Sequence, residues 1–256
     1  ANMSYFKYQG KNIYYEETGN GRPLLLLHGN TASSNMFYEI TGKYAAHHKV
    51  ILMDFLGHGR SDRLPEFPAD LWFDEAMQVI ELIKSRQYGK ADIIGSSGGA
   101  LAAINVALEA PELVGKVIAD SFEGETPLKA FTQNITEDRE ASKKDENARM
   151  FYYYMNGDDW EHVVDCDTQA IRRHDETIGR FFHKPLEGFV PDILLTGSRE
   201  DEFICSLEKD YFERVYGEII RKIGHGRIHL FDTGGHPAML SNQQGFIEIS
   251  SRFLED

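Results

Sequence analysis

The chain has 256 residues, 41% of them hydrophobic and 27% charged, as expected of a globular protein of one or two domains. Its formal net charge of -14 repels phosphate backbones and anionic lipid, so neither nucleic acid nor a membrane surface is an expected partner. No apolar stretch approaches the roughly 20 residues of a membrane span, and the opening ANMSYFKYQG lacks the basic-then-apolar pattern of an export signal, so a cytoplasmic protein is expected. The two cysteines, Cys166 and Cys205, are far apart and lack metal-ligand spacing. They read as inert thiols, with a disulfide left open.

In chain order, NIYYEET (12–18) has strand composition, and PLLLLHG (23–29) is a continuous apolar run of the kind buried on both faces of a sheet. KVILMDF (49–55) is a further strand candidate. DLWFDEAMQVIELIKSR (70–86) places Phe73, Met77, Ile80 and Ile83 at helical spacing behind Asp70, a candidate N-cap. ADIIGS (91–96) predicts a strand, GALAAINVALEA (99–110) a helix ending before Pro111, and KVIADSF (116–122) another strand. Strands alternating with helices imply βαβ units and a mostly parallel sheet.

The alternation stops after Phe122. Residues 123–190 show no strand pattern and are too long for a simple connection, so they predict a helical insertion over one edge of the sheet. Its charged part, TEDREASKKDENAR (136–149), reads as a solvated helix face with Glu140 and Lys144 as an i,i+4 pair. The alternation resumes with DILLTGS (192–198), the helix EKDYFERVYGEIIRKI (208–223), the strand GRIHLFD (226–232) and a closing helix QGFIEISSRFL (244–254).

In such sheets, chemistry sits at the carboxyl ends of the strands. After ADII comes Gly95-Ser96-Ser97-Gly98-Gly99, a G-x-S-x-G turn between a strand and a helix. Small flanking residues let the chain turn sharply and expose Ser97 in a strained conformation at a helix N-terminus. Ser96 fills the variable position, with its hydroxyl expected in a local structural hydrogen bond. A serine hydroxyl needs a base to become a nucleophile. Of the 10 histidines, His236 in DTGGHPAML lies between the last strand and the last helix, where it can reach over the sheet edge. His28 and His58 also follow strands, in turns that read as structural. The base needs a carboxylate to hold its tautomer. Glu200, Asp201 and Glu202 compete in the loop after DILLTG; Asp201 is the first choice, Glu200 the alternative and Asp120 a more distant one. An oxyanion would be held by the backbone N–H of Gly98 and by one from the loop after PLLLLHG, that of Asn30.

These segments resemble the α/β-hydrolase superfamily over about residues 12–254, the insertion apart. HGN (28–30) is similar to its oxyanion loop, DFLGHGRSD (54–62) to its D-x-x-G-x-G-x-S turn, and GSSGG (95–99) to its nucleophile elbow. LLTGSREDEF (194–203) and GGHPAMLSNQQGF (234–246) are similar to its acid and base segments, in the family's chain order. Many members carry the acid at the position of Glu200 here. The resemblance implies an α/β-hydrolase fold: a mostly parallel sheet of about eight strands flanked by helices. It implies a core of residues 1–122 and 191–256 and a cap of residues 123–190, where Tyr152, Tyr153 and Trp160 either line a substrate pocket or pack the cap. It implies a serine hydrolase acting on a small carboxylic ester, thioester or amide, with no metal and no cofactor. A carbon–carbon bond hydrolase, a lyase or an acyltransferase with the same triad stays open, as does a slow ligand receptor. The sequence leaves the oligomeric state open.

Overall fold

A computed structural model describes residues 2–256. The strands are β1 (Asn2–Tyr8), β2 (Lys11–Thr18), β3 (Arg22–Leu27), β4 (His48–Met53), β5 (Ala91–Ser96), β6 (Val114–Asp120), β7 (Asp192–Ser198) and β8 (Arg227–Phe231). They form one sheet in the order β1-β2-β4-β3-β5-β6-β7-β8. Only β1–β2 and β2–β4 pair antiparallel; every pair from β4–β3 to β7–β8 is parallel. The chain therefore has the α/β-hydrolase architecture that its sequence predicts. β1, whose sequence carried no distinct strand signal, is an edge strand with most of its residues exposed.

The helices are α1 (Tyr38–Ala45), α2 (Leu71–Arg86), α3 (Gly98–Glu109), α4 (Lys129–Gln133), α5 (Ile135–Ser142), α6 (Glu146–Asn156), α7 (Trp160–Thr177), α8 (Tyr211–Ile223), α9 (Ala238–Ser241) and α10 (Gln243–Glu255). The run of leucines in β3 is explained by the layering. Leu25 and Leu27 face a core shared with α2, α3 and α8, while Leu24 and Leu26 face one shared with α1, α9 and α10. A strand covered on both faces has no polar side to alternate with. α3 is buried all round, from Gly98 to Leu108, and so lacks an amphipathic signature.

Two local expectations are corrected. Asp70 stands at the N-cap position of α2, but its side chain caps no amide; its carboxylate meets His183 Nε2 at 2.5 Å instead. Lys144 lies beyond the end of α5, so Glu140 pairs with Lys143 at 2.9 Å, and Lys143 also reaches Asp165 at 2.6 Å.

The four helices α4–α7 are inserted between β6 and β7. They dock on the loops at the carboxyl ends of the strands through polar side chains. Asn156 at the end of α6 donates to the Thr31 carbonyl at 2.7 Å and accepts the Gly59 N–H at 2.9 Å, tying the loops after β3 and β4 together. Arg63 holds Asp159, just before α7, at 2.8 Å. No helix among the described residues is long and apolar enough to cross a membrane.

Candidate active site

Ser97 stands between β5 and α3 with φ 56° and ψ -122°. A non-glycine residue held there costs on the order of 1–3 kcal/mol, which the surroundings must offset. They do so with short backbone bonds: Ser97 N–H to the Asp120 carbonyl at 2.7 Å, and Ala100 N–H to the Ser97 carbonyl at 2.9 Å. The turn is also sterically closed. A Cβ on Gly99 would lie 2.1 Å from the Leu27 carbonyl oxygen, and one on Gly95 would lie 2.1 Å from that of Gly99. Only glycine lets α3 approach β3 and β5 this closely. The neighbouring Ser96 is fully buried and donates to Asp120 Oδ2 at 3.0 Å, a partner on the next strand.

His236 comes over the sheet edge from the loop after β8. Its Nε2 lies 3.0 Å from Ser97 Oγ and its Nδ1 lies 2.7 Å from Asp201 Oδ2. The other Asp201 oxygen accepts the N–H groups of Phe203 and Ile204, both at 2.9 Å. Asp201 is 1% exposed, so this carboxylate can turn to no other partner. Burial pulls the His236 imidazole toward a lower pKa, but the hydrogen bond and charge of Asp201, with the charges of Asp120 and Glu202, outweigh it and raise the value. Phe203 presents an edge to the His236 ring, 5.3 Å between centroids.

The other two acids of the loop are used differently. Glu200 Oε1 accepts the Gly234 N–H at 3.3 Å, and Glu202 Oε2 accepts the His236 N–H at 2.9 Å. Both hold the backbone of the histidine loop and neither meets its ring. Asp120, the third candidate, is fully buried and accepts from Thr196 Oγ1 at 2.7 Å, Ser96 Oγ at 3.0 Å and the Met239 N–H at 3.0 Å. Burial pushes its carboxyl up to about 6 against these three donors. It braces both the Ser97 turn, through Ser96, and the loop that carries His236, through Met239.

Asn30 follows β3, and the adjacent Gly29 packs against Ser97: a Cβ on Gly29 would lie 3.1 Å from that of Ser97. Among the described residues, neither the Asn30 N–H nor the Gly98 N–H has a protein acceptor. Both belong to the two loops that flank the Ser97 hydroxyl. The Asn30 side chain is occupied elsewhere, donating to Asp167 at 2.9 Å and accepting from Trp72 Nε1 at 3.0 Å. His28 and His58 are both buried and neutral, each lowered to about 4 by burial. His28 is saturated by the Gly29 carbonyl and the Phe55 N–H, at 2.8 and 2.9 Å. His58 donates to the Leu56 carbonyl at 3.2 Å.

Tyr152 and Trp160 stack at 5.5 Å in a small apolar cluster with Val164, and the Tyr152 hydroxyl bonds Ser142 at 2.8 Å. Tyr153 is 56% exposed. A tyrosine-rich helix turn splits this way because only one side of α6 meets the rest of the insertion. A cleft of about 680 Å³ lies elsewhere, between the start of the insertion and α8, with Glu123, Leu128, Ile204, Leu207 and Tyr211 in its walls. The carboxyl of Glu123 is raised to about 7 by burial, against the Leu128 N–H it accepts and the nearby charge of His236. Sequence reasoning missed Glu123, Phe203, Asn156, Asp167 and Arg139. Asp167 carried a readable signal: it lies at helical spacing from Val163, Ala170 and Ile171, a charge on an apolar stripe. Both cysteines are free and buried, and burial pushes each thiol up to about 11, so both are unreactive. No cluster of metal-ligating side chains occurs among the described residues.

Comparison with known proteins agrees with this architecture. The chain is 25% identical to the human serine hydrolase BPHL over 96% of its own length and 84% of the relative's. It is 26% identical to 2-hydroxy-6-oxo-6-phenylhexa-2,4-dienoate hydrolase of Comamonas testosteroni, over 94% and 91% of the two chains. Among solved structures, the serine hydrolase CCSP0084 of Cycloclasticus zankles superimposes with a TM-score of 0.78 at 20% identity, covering 99% of this chain and 98% of the other. The family model described as "Alpha/beta hydrolase family" matches residues 24–249, and the chain belongs to that family.

Proposed function

We propose that this member of the family is a serine hydrolase that cleaves a small carboxylic ester, or a related thioester or amide, through an acyl-serine intermediate. One observation carries the reading: the continuous chain Ser97 Oγ–His236 Nε2, His236 Nδ1–Asp201 Oδ2 at 3.0 and 2.7 Å. Ser97 Oγ attacks the carbonyl carbon as its proton passes to His236 Nε2. The negative oxygen of the tetrahedral intermediate is held by the Gly98 and Asn30 amides and by the N-terminus of α3. Collapse expels the alcohol, which leaves with the proton from His236. Water then attacks the acyl carbon as its proton passes to His236; collapse breaks the bond to Ser97 Oγ, which takes that proton back, and the acid is released. Asp201 holds the imidazole tautomer and offsets its positive charge. Helices α4–α7 act as a cap over these loops, and the cleft with Glu123 in its wall is the space for the non-reacting part of the substrate.

The test is labelling with an alkyl fluorophosphonate followed by peptide mapping. Modification confined to Ser97, and lost in Ser97→Ala, supports the reading; no labelling, or labelling elsewhere, refutes it.

A second reading, carbon–carbon bond hydrolysis by the same residues, is favoured by the likeness to the dienoate hydrolase over nearly its whole length. Turnover of a vinylogous diketone at a kcat/KM well above that of simple esters selects it over the ester reading.

A further inference from the structure

We infer that a buried ion pair in the helical insertion, Arg139 with Asp167, positions the oxyanion loop by clamping the side chain of Asn30. The inference rests on the reading of the Asn30 and Gly98 amides as oxyanion donors.

Asp167 is fully buried in α7, and each of its oxygens has a partner. Oδ2 accepts from Arg139 of α5 at 2.9 Å and Oδ1 accepts from Asn30 Nδ2 at 2.9 Å. The opposite end of the Asn30 amide accepts from Trp72 Nε1 of α2 at 3.0 Å. Trp72 itself packs edge-on against the stacked rings of His174 and Phe181, each 4.9 Å away by ring centroid. The Asn30 side chain is thus gripped at both ends by residues that do not move with its own loop. A planar amide held this way cannot rotate, and its Cα, with the N–H attached to it, is held in turn. The clamp also packs on the second donor: a Cβ on Gly98 would lie 1.9 Å from Asn30 Oδ1. One side chain therefore spaces both amides.

Arg139 has a distinct part in this. A buried carboxylate left without a cationic partner is costly, and nothing then fixes the direction of the oxygen that accepts from Asn30. Arg139, 12% exposed at its side chain, holds Oδ2 at 2.9 Å and so fixes the carboxylate plane with Oδ1 facing Asn30. Asn30, Asp167, Arg139 and Trp72 are positioning residues in this scheme, since none of their side chains touches the reacting atoms.

The test measures the second-order rate of fluorophosphonate labelling at Ser97, kcat and KM on an ester that the wild type turns over, and thermal melting. Asn30→Ala keeps the backbone N–H and removes the clamp; Arg139→Met removes the charge, and Arg139→Lys restores it. A displacement of well under an ångström at a transition-state donor costs at least about tenfold in rate. The expected result is a loss of at least about tenfold in labelling rate and kcat for Asn30→Ala and Arg139→Met, with KM within about twofold and Arg139→Lys recovering most of the rate. Trp72→Phe, which keeps the ring packing and loses the donor, replaces Arg139→Met should that variant fail to fold. Unchanged labelling in folded variants, or a loss in KM alone, overturns the clamp while leaving the Ser97 reading intact. A wild type that is not labelled at Ser97 overturns both.

Discussion

Asp201 Oδ2 lies 2.7 Å from the Nδ1 of His236, while Glu200, its neighbour in the chain, reaches only the Gly234 N–H on the same histidine loop. The two acids therefore separate cleanly in their consequences. Asp201→Asn leaves the shape intact but favours the wrong imidazole tautomer, and kcat is expected to fall by about 10⁴-fold, the loss seen for the equivalent change in a serine protease. Glu200→Gln keeps an oxygen for Gly234 and is expected to stay within about threefold of wild type, as for a rim residue. Steady-state kinetics of the two variants decides, and the reverse pattern reassigns the acid.

The pH profile follows from the raised pKa of His236. The imidazole must be neutral to take the Ser97 proton, so kcat/KM falls as pH drops through the His236 pKa. Because that value lies above the ordinary 6.5 or so, the acid limb is expected to have its midpoint above about pH 6.5. Stability runs the other way. The folded state binds this proton more tightly than the unfolded chain, so the group stabilises the fold below about pH 6.5 and the contribution is lost as pH rises through the folded value. A limb centred well below pH 6 contradicts the assignment of His236 as the base.

Asp120 is a structural acceptor here. Asp120→Ala strips the partners from Thr196, Ser96 and the buried Met239 N–H together. Leaving buried donors unpaired costs about 1–3 kcal/mol each, so a loss of about 3 kcal/mol or more in denaturant unfolding is expected. The Asn variant, which keeps one acceptor oxygen while the Thr196 hydroxyl turns to accept, loses less. If Asp120→Ala instead melts like wild type and loses only kcat, Asp120 belongs to the chemistry.

The aromatic residues of α6 and α7 give a fourth contrast. Trp160→Ala empties the stack with Tyr152 and is expected to destabilise by about 3 kcal/mol with little change in KM. Tyr153→Ala, on the exposed side, is expected to stay within about 0.5 kcal/mol and to leave KM unchanged. A KM shift across an ester series for either variant would return these residues to the substrate pocket.

Much of the fold was legible because local pattern and layer agree. β3, β4, β5 and β7 read as continuous apolar runs since both faces of the sheet are covered, and α2 and α8 read by their periodicity. β1 was not legible, because an exposed edge strand needs few apolar residues. α1 was missed as well: eight residues carrying Thr41, Gly42 and two tyrosines offer little helical signal on their own. The docking residues Asn156 and Asp167 were passed over because a polar residue in a charged insertion looks solvated until its partner, more than a hundred residues away, is known.

By itself the sequence determined the α/β order, the family and the strained turn at Ser97. These depend on residues adjacent in the chain: a strand, two flanking glycines and a helix cannot join in another way. Only the tertiary structure decided which acid meets the His236 ring, since Glu200, Asp201 and Glu202 are consecutive in the chain and all three reach the same loop. It alone brought Asp167 and Trp72 onto Asn30, and Arg139 onto Asp167. Those contacts join three helices and a loop, and their energies exist only once the insertion has docked and excluded water from the ion pair.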